Sequence, residues 1–401
     1  MVIENATEET RSWVRLDGVD LLRGVAILLV LLNHVNMRLF LSKIHYTKGL
    51  PEQLVSSLVW SGQYGVQIFF AVSGFLITST TLRRWGSVSR VNVRDFYRLR
   101  FARIAPLLLA LLAILSGLHL AGVKDFVVWR TTGGLGRALI AALTFHINVL
   151  EARRGYLPAS WDVLWSLSVE EMFYLFFPLA CRLFRRTRWL SILLLAFVAV
   201  GPFARQLAFR QNPVWGEYSY LGGMDAIALG CLTALALNKL RLSERGLWVL
   251  GGTGAALMVF ILAFSIRAEQ SGLGRKGLTM SILATGVCMV IAVLAQSQWR
   301  APVLLRPLVT MGQRSYEIYL THMFAVLGVF SLFVMAGSTK KSVPILFVSI
   351  IVVAALLGEL VARIYSERMN RWLRARWGDG AETMGSVMES AKPAEMLEVS
   401  G

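Results

Sequence analysis

The chain has 401 residues, of which 56% are hydrophobic and only 16% charged, and its formal net charge is +17 at pH 7. Soluble globular proteins carry about a quarter charged residues, so this composition excludes an ordinary soluble domain. The positive residues cluster in short connections between apolar segments, which is typical of a membrane protein and not of a nucleic-acid-binding protein. The sequence therefore predicts a chain embedded in a lipid bilayer, with no nucleic-acid partner.

The first apolar segment, DLLRGVAILLVLLNHVNMRLFL, carries Arg23 near its start and His34 deep inside. The residues before it are polar and partly acidic, so the segment is expected to stay as an uncleaved helix. About three helical turns separate Arg23 from His34, which places both side chains on one face about 16 Å apart. Ionisable groups within a membrane span are costly and mark pathways or sites. The pair therefore predicts a site for a long anionic ligand that extends into the bilayer.

Apolar runs predict eleven segments along the chain. They are 22–42, 63–82, 104–122, 135–150, 161–182, 188–204, 219–237, 247–266, 278–296, 316–336 and 343–364. The fourth is short and follows a glycine-rich stretch, so we expect a re-entrant or short helix there instead of a span. With a cytoplasmic N-terminus and ten crossings, most of the 41 lysines and arginines lie in the cytoplasm. The sequence thus predicts an all-α, polytopic transmembrane helix bundle with both termini in the cytoplasm.

The predicted organisation is a single membrane-embedded domain, 16–377, between two polar ends. Residues 1–15 form a short cytoplasmic N-terminal segment, and residues 378–401 form a polar tail that is predicted to be disordered. No nucleotide-binding loop, dinucleotide fingerprint or metal-ligand spacing occurs, so no metal site and no permanently bound cofactor is predicted. Three scattered cysteines, Cys181, Cys231 and Cys288, are expected to be small buried hydrophobes.

Six polar-containing stretches occur in the order found in one family of membrane enzymes. They are DLLRGVAILLVLLNH (20–34), GVQIFFAVSGFLI (65–77), FYRLRFARIAP (96–106), WSLSVEEMFYLFFPL (165–179), MDAIALG (224–230) and SYEIYLTHM (315–323). In these stretches the chain resembles the acyltransferase-3 family of integral membrane acyltransferases. The resemblance implies transfer of an acyl group, often acetyl, from cytoplasmic acyl-CoA as co-substrate to a hydroxyl group of an extracytoplasmic acceptor. Expected acceptors are cell-surface carbohydrates or lipid-linked sugars, and the expected location is the cytoplasmic membrane.

The resemblance also assigns roles to particular residues. Three motifs carry them: R-x10-H at Arg23 and His34, an arginine-rich stretch at Arg98, Arg100 and Arg103, and E-x-x-Y at Glu171 and Tyr174. Arginine binds phosphate through a planar fork of donors, so the four arginines are expected to hold the phosphates of CoA. An extended pantetheine arm is comparable in length to the separation between Arg23 and His34. Phosphates at Arg23 would therefore place the thioester near His34.

His34 is the candidate catalytic base, because an imidazole has an ordinary pKa near neutrality. Its expected task is to deprotonate the acceptor hydroxyl, or to accept the acyl group itself and pass it on. Four polar side chains are candidates to orient its ring, and the sequence does not choose among Asp20, Asn33, Asn36 and Glu171.

Glu171 and Tyr174 lie three residues apart and share a helix face, where they are expected to support the site. They would orient the histidine, bind acceptor hydroxyls or pin two helices together. Adjacent Glu170 and Glu171 point about 100° apart and are not expected to face one cavity. Two further candidates are His322, as an auxiliary group, and Asp225, as the partner of an arginine within the bundle.

Two rival functions are compatible with the same residues. A proton-coupled transporter would use Arg23, His34 and Glu171 as a relay, although no internal repeat of the kind common in transporters is visible. A non-catalytic scaffold or acyl-CoA sensor would bind CoA and tolerate the loss of His34. The transporter predicts substrate accumulation driven by a pH gradient and no requirement for acyl-CoA.

Overall fold

The computed structural model of the chain describes residues 16–377, apart from 275–276, 298 and 338. The predictions for the segments 1–15 and 378–401 lie outside the described residues. Within the described part the regular secondary structure is helical, with no β-strand, so the predicted all-α class is confirmed.

The described residues form eighteen α-helices. The first nine are α1 (Asp17–Leu41), α2 (Glu52–Val59), α3 (Gly62–Trp85), α4 (Val93–Leu120), α5 (Gly134–Leu143), α6 (Ile147–Arg154), α7 (Ala159–Asp162), α8 (Leu164–Leu183) and α9 (Thr187–Gln211). The others are α10 (Pro213–Tyr218), α11 (Tyr220–Leu237), α12 (Glu244–Ala263), α13 (Ser265–Gln270), α14 (Leu278–Ser297), α15 (Arg306–Gln313), α16 (Ser315–Met335), α17 (Val343–Val361) and α18 (Glu367–Arg376). Short 3₁₀ turns lie at Val88–Arg90, Arg130–Thr132, Val303–Leu305 and Lys340–Ser342, and a π-helical turn at Ala362–Ser366 joins α17 to α18.

Ten helical segments of the described chain are long and apolar enough to cross a bilayer. They are Asp17–Leu41, Gly62–Trp85, Val93–Leu120, Ala159–Leu183, Thr187–Gln211, Pro213–Leu237, Glu244–Ala263, Leu278–Ser297, Ser315–Met335 and Lys340–Arg376. The chain is therefore an integral membrane protein with the predicted number of spans. The segment predicted at 135–150 forms α5 and α6, which are separated by Phe145 with a positive φ of 55°. Both helices are shorter than the ~20 residues of a crossing helix, which confirms the predicted short helical segment.

The helix α4 begins at Val93, well before the predicted apolar segment that starts at residue 104. Its N-terminus is capped by Asn92, whose side-chain oxygen accepts hydrogen bonds from the backbone N–H groups of Arg94 (3.1 Å) and Asp95 (3.2 Å). The arginine-rich motif therefore lies on the first turns of a regular helix. Its side chains consequently project at fixed angles about the α4 axis.

The chain divides into two compact units. The first comprises Met1–Thr80 and Ser191–Ser315, and the second comprises Thr81–Leu190 and Tyr316–Gly401. The first unit contains the R-x10-H motif and Asp225. The second contains the arginine-rich motif, the E-x-x-Y motif and His322.

In the first unit, α1 lies backbone to backbone against α15. A Cβ atom added at Gly312 would overlap the carbonyl group of Asp20, and one added at Gly24 would overlap that of Leu308. Small residues are what allow helices in membranes to approach this closely. The two glycines therefore set the position of the part of α1 that carries Arg23.

Replacing Gly312 by valine is expected to lower the midpoint of thermal unfolding and the activity together, because the new side chain pushes α1 away from α15. Overpacking of this kind costs roughly 1–3 kcal/mol or more. Thermal unfolding of the purified protein in detergent measures the effect. Gly328→Val is the matched control on α16, since a Cβ there meets no atom within 4 Å. Equal midpoints for the two variants would contradict the close approach.

In the second unit, a buried carboxyl group on α6 forms a hydrogen bond with the backbone of the loop that follows this helix. Glu151 is fully buried and accepts a hydrogen bond from the backbone N–H of Leu157 at 3.0 Å. Burial raises the pKa of Glu151 well above its usual range, and the neighbouring carboxylate of Asp162 raises this pKa further. The folded state therefore favours the protonated form of Glu151.

Because of Glu151, the free energy of unfolding of the protein is expected to fall as the pH rises. Because the pKa of Glu151 is higher in the folded state than in the unfolded state, its contribution is fully present below the unfolded pKa of about 4.3 and is lost as pH rises through the folded pKa. Glu151→Gln, which stays neutral, should flatten the pH dependence of the thermal unfolding midpoint. Glu244→Gln, at an exposed position, should keep the wild-type slope. An unchanged slope in Glu151→Gln would contradict this assignment.

Candidate active site

The arginine of the R-x10-H motif is held by an acid one turn earlier on α1. Nη1 of Arg23 lies 3.2 Å from Oδ1 of Asp20, and both side chains are largely shielded from solvent. Asp20 is also the residue whose backbone Gly312 contacts, so the α15 packing supports this ion pair directly. The sequence left Asp20 as one of four groups that orient His34, and the structure places its carboxylate on Arg23.

His34 takes its orientation from the backbone of its own helix. Its Nδ1 lies 2.9 Å from the carbonyl oxygen of Val30, one turn earlier. A carbonyl oxygen only accepts, so Nδ1 carries the proton and the neutral ring has its lone pair on Nε2. That tautomer presents a basic nitrogen on the side of the ring away from Val30, which is what a general base requires. No side-chain pattern reveals a backbone acceptor, so sequence reasoning missed Val30.

The two asparagines considered as ring-orienting groups are engaged elsewhere. Oδ1 of Asn36 accepts a hydrogen bond of 2.7 Å from the hydroxyl of Tyr46, and Nδ2 of Asn33 lies 3.6 Å from Sδ of Met37. Burial raises the pKa of Tyr46 to about 12, so its hydroxyl stays protonated and remains a donor to Asn36 at neutral pH. Glu171, the remaining candidate, belongs to the second unit.

In the second unit, a charged cluster joins α4 to α8. Nη2 of Arg100 lies 3.0 Å from Oε1 of Glu171 and 3.7 Å from Oε1 of Glu170. The hydroxyl of Tyr174 donates to Oε1 of Glu170 at 2.7 Å, and the Arg100 guanidinium carbon lies 3.5 Å from the centre of the Tyr174 ring. Cation–π stacking and charge-assisted hydrogen bonds thus act on the same guanidinium group.

We predicted that Glu170 and Glu171 would not face one cavity; the structure shows that both carboxylates contact one guanidinium group, that of Arg100. The two residues follow each other on α8, and a single nitrogen of Arg100, Nη2, lies within 4 Å of a carboxylate oxygen of each. Tyr174 bonds to Glu170, four residues earlier, instead of supporting Glu171 directly. The i,i+4 spacing of Glu170 and Tyr174 was the sequence signal that could have identified this contact.

The three arginines assigned to the donor occupy different surroundings. Arg100 is matched by two carboxylates, whereas Arg98 is half-buried, 3.8 Å from Asp95 and 6.0 Å from the ring centre of Trp377. Arg103 is exposed on α4. The environment of Arg100 favours a positioning role, and the donor role predicted for Arg98 and Arg103 stays a prediction.

His322 lies fully buried on α16, beside a chain of hydroxyl groups. Its Nδ1 lies 2.6 Å from the carbonyl oxygen of Tyr319, which lies three residues earlier on the same helix. The Tyr319 hydroxyl donates to the carbonyl oxygen of Val163 at 3.0 Å and is 2.6 Å from the Ser166 hydroxyl. The group therefore ties α16 to the start of α8, and the auxiliary role of His322 stays a prediction.

Asp225 forms the buried ion pair that its position within the bundle predicts. Its carboxylate contacts Arg205 of α9 through two hydrogen bonds, of 2.9 and 2.7 Å, and it also accepts from Gln67 at 3.3 Å and from Ser281. Arg205 donates further to the carbonyl oxygen of Gly277. An arginine at the end of an apolar run signals an acidic partner, although sequence alone does not say which one. The network fixes α3, α9, α11 and α14 of the first unit.

Among the described residues, no three His, Cys, Asp or Glu side chains are grouped so that they could hold a metal ion. The three cysteines, Cys181, Cys231 and Cys288, are buried, as expected for small hydrophobic residues. The polar groups of the candidate site are therefore the ones that the three sequence motifs carry, with Glu170 added.

Comparison with known proteins identifies the family. A family model described as an acyltransferase domain, that of the acyltransferase 3 family, matches residues 16–363. The chain therefore belongs to this family of acyltransferases, which confirms the family that its motifs predict.

Curated relatives include O-acetyltransferase OatA of Staphylococcus aureus, strains NCTC 8325 / PS 47 and COL. Each is 25% identical to the chain over 364 residues, covering 87% of this chain and 56% of the relative. The chain thus spans about half the length of the curated relatives it matches. No solved structure matches the chain.

Proposed function

We propose that the protein transfers an acetyl group from cytoplasmic acetyl-CoA to a hydroxyl group of a carbohydrate or lipid-linked sugar on the opposite side of the cytoplasmic membrane. The observation that carries the proposal is the family match over residues 16–363, which includes the motif with Arg23 and His34 on α1. The name O-acetyltransferase of the relatives supports a hydroxyl acceptor and an acetyl group. Both termini lie in the cytoplasm in this proposal, as the distribution of basic residues favours.

The chemistry assigned to His34 is general-base catalysis. Nε2 removes the proton from the acceptor hydroxyl as its oxygen attacks the thioester carbonyl carbon. The new C–O bond forms, the C–S bond breaks, and the thiolate of CoA leaves with its electron pair and takes the proton from His34. The bond from Nδ1 to the Val30 carbonyl supports this role, because it orients the ring and stabilises the imidazolium formed midway. In the relay variant, Nε2 itself attacks the thioester and the acetyl-histidine then reacts with the hydroxyl.

Arg23 is assigned to the phosphates of the donor. Its guanidinium contacts the carboxylate of Asp20, which orients it, and a guanidinium group matches the oxygens of a phosphate in geometry as well as charge. The rise along α1 between Arg23 and His34, about 16 Å, suits a donor whose phosphates and thioester are joined by an extended arm. In the second unit, Arg98 and Arg103 keep their assignment to donor phosphates, and Arg100 positions the carboxylate of Glu171.

The test is binding and turnover of acetyl-CoA by the purified full chain. Arg23→Ala is expected to raise the KM for acetyl-CoA about tenfold or more with little change in kcat, since a charge-assisted bond is worth roughly 1.5–3 kcal/mol. Arg38→Ala, near the other end of α1, is the control and should leave this KM unchanged. A wild-type protein with no affinity for any acyl-CoA would overturn the proposal. Substrate uptake driven by a pH gradient would then favour the transporter.

A further inference from the structure

A cavity of about 590 Å³ lies between α5 and α6, within the second unit. None of its lining residues belongs to the motifs of the candidate active site. Three arginines line it, one from α5 (Arg137) and two from the end of α6 (Arg153 and Arg154), together with His146 between the helices. The residues that line the cavity are therefore rich in basic groups and include no acidic residue.

The three arginines are exposed, and within the described part of the chain none of them forms an ion pair. The nearest acid in sequence, Glu151, is directed elsewhere, because it is buried and accepts from the N–H of Leu157. Three guanidinium groups around one cavity repel one another unless an anion lies between them. Guanidinium groups match the oxygens of a phosphate in geometry as well as charge.

The remaining walls of the cavity are apolar. Ile140 of α5 and Val149 and Leu150 of α6 supply them, and the side chain of Ile140 is 60% exposed. A free phosphate ion gains nothing from aliphatic walls. An amphiphile with a phosphate head and hydrocarbon chains satisfies both the arginines and the apolar walls. Short helices that present aliphatic and basic residues together are typical of the membrane interface.

We propose that this cavity binds the phosphate headgroup of a membrane lipid, with the guanidinium groups of Arg137, Arg153 and Arg154 on the phosphate and the first carbons of the lipid chains against Ile140 and Val149. The site is separate from the residues assigned to acetyl transfer. The test of this site measures lipid binding and not acetyl transfer. A negative result for the lipid site would therefore leave the proposed function untouched, and the reverse also holds.

The experiment measures lipid binding to the full chain in detergent by native mass spectrometry. The probes are dioleoyl phosphatidic acid, dioleoyl phosphatidylcholine with the same chains and a zwitterionic head, and inorganic phosphate as a competitor. Phosphatidic acid is expected to bind about tenfold or more tightly than phosphatidylcholine, because its phosphate carries a net negative charge that no choline group neutralises. The triple variant Arg137→Gln, Arg153→Gln, Arg154→Gln should lose that preference.

The control removes the same charge elsewhere, in the triple variant Arg185→Gln, Arg210→Gln, Arg245→Gln, whose positions are exposed and do not line the cavity. It should bind phosphatidic acid within about twofold of wild type, as expected for exposed charges away from the site. Equal losses in both triple variants would overturn the site in favour of general charge attraction. Full affinity in the cavity variant would overturn it outright. If millimolar inorganic phosphate displaced the lipid, the cavity would be a site for free phosphate, and the proposal of a lipid ligand would be wrong.

Discussion

Replacing His34 by alanine is expected to reduce acetyl transfer by about 100-fold or more, because a positioned general base contributes roughly 10²–10⁴-fold to a rate. The affinity for acetyl-CoA should change little, since the phosphates of the donor are assigned to arginines. The measurement is transfer of labelled acetyl from acetyl-CoA to endogenous acceptors in membrane vesicles, normalised to the amount of folded protein. Donor binding by the purified protein gives the second readout.

Two further variants separate catalysis from structure. His34→Asn places an amide N–H where Nδ1 lies, so it retains a donor for the Val30 carbonyl and lacks a base. We expect it to fold like wild type and to be as inactive as His34→Ala. His45→Ala, an exposed histidine beyond the end of α1, should be fully active. If His34→Asn transferred acetyl groups at the wild-type rate and abundance, the imidazole of His34 would have only a structural role.

Replacing Arg100 by glutamine is expected to lower the thermal stability of the protein measurably. Removing one partner of a fully buried ion pair leaves the other charge uncompensated and costs roughly 3–5 kcal/mol; this pair is partly exposed (19% and 11% for the two side chains), so the expected cost is smaller, about 1–3 kcal/mol. Here the carboxylate of Glu171 loses its contact at 3.0 Å, and the ring of Tyr174 loses the stacked cation. Thermal unfolding of the purified protein, together with the KM for acetyl-CoA, measures the effect.

The double variant Arg100→Gln, Glu171→Gln should recover most of this loss, because two neutral amides can hydrogen-bond where two charges were paired. Arg94→Gln, an exposed arginine on the same helix, should leave stability unchanged. If Arg100→Gln were as stable as wild type and raised only the KM for the donor, then Arg100 would bind donor phosphate, as the sequence-based assignment has it. The two variants therefore decide between a positioning and a binding role for Arg100.

Much of the fold follows from the sequence because a bilayer restricts the choices. Backbone groups in hydrocarbon must be satisfied within the segment, so each sufficiently long apolar run becomes a helix. This reasoning predicted ten spans, and the brevity of the segment 135–150 predicted that it would not be one of them. The same cost of burying charge identified Arg23 and His34 as site candidates, since a polar side chain inside an apolar run stands out without any knowledge of its neighbours.

The partners of these polar groups depended on the tertiary structure. Arg100 and Glu171 are far apart in sequence, and only the packing of α4 against α8 brings the guanidinium within reach of both Glu170 and Glu171. The same holds for Asp225, whose partner Arg205 comes from another helix.

The sequence by itself determined the class of fold, the number of spans and the residue types that carry the chemistry, because these depend on local hydrophobicity and on the order of motifs. The tertiary structure decided which atoms meet. It placed Asp20 on Arg23, gave Nδ1 of His34 a backbone carbonyl as its acceptor and matched Arg100 with two carboxylates. The physical reason is that hydrogen bonds and ion pairs act over about 3 Å. Helix rotation and helix–helix packing decide contacts on that scale, and the sequence pattern of a single segment predicts neither of them.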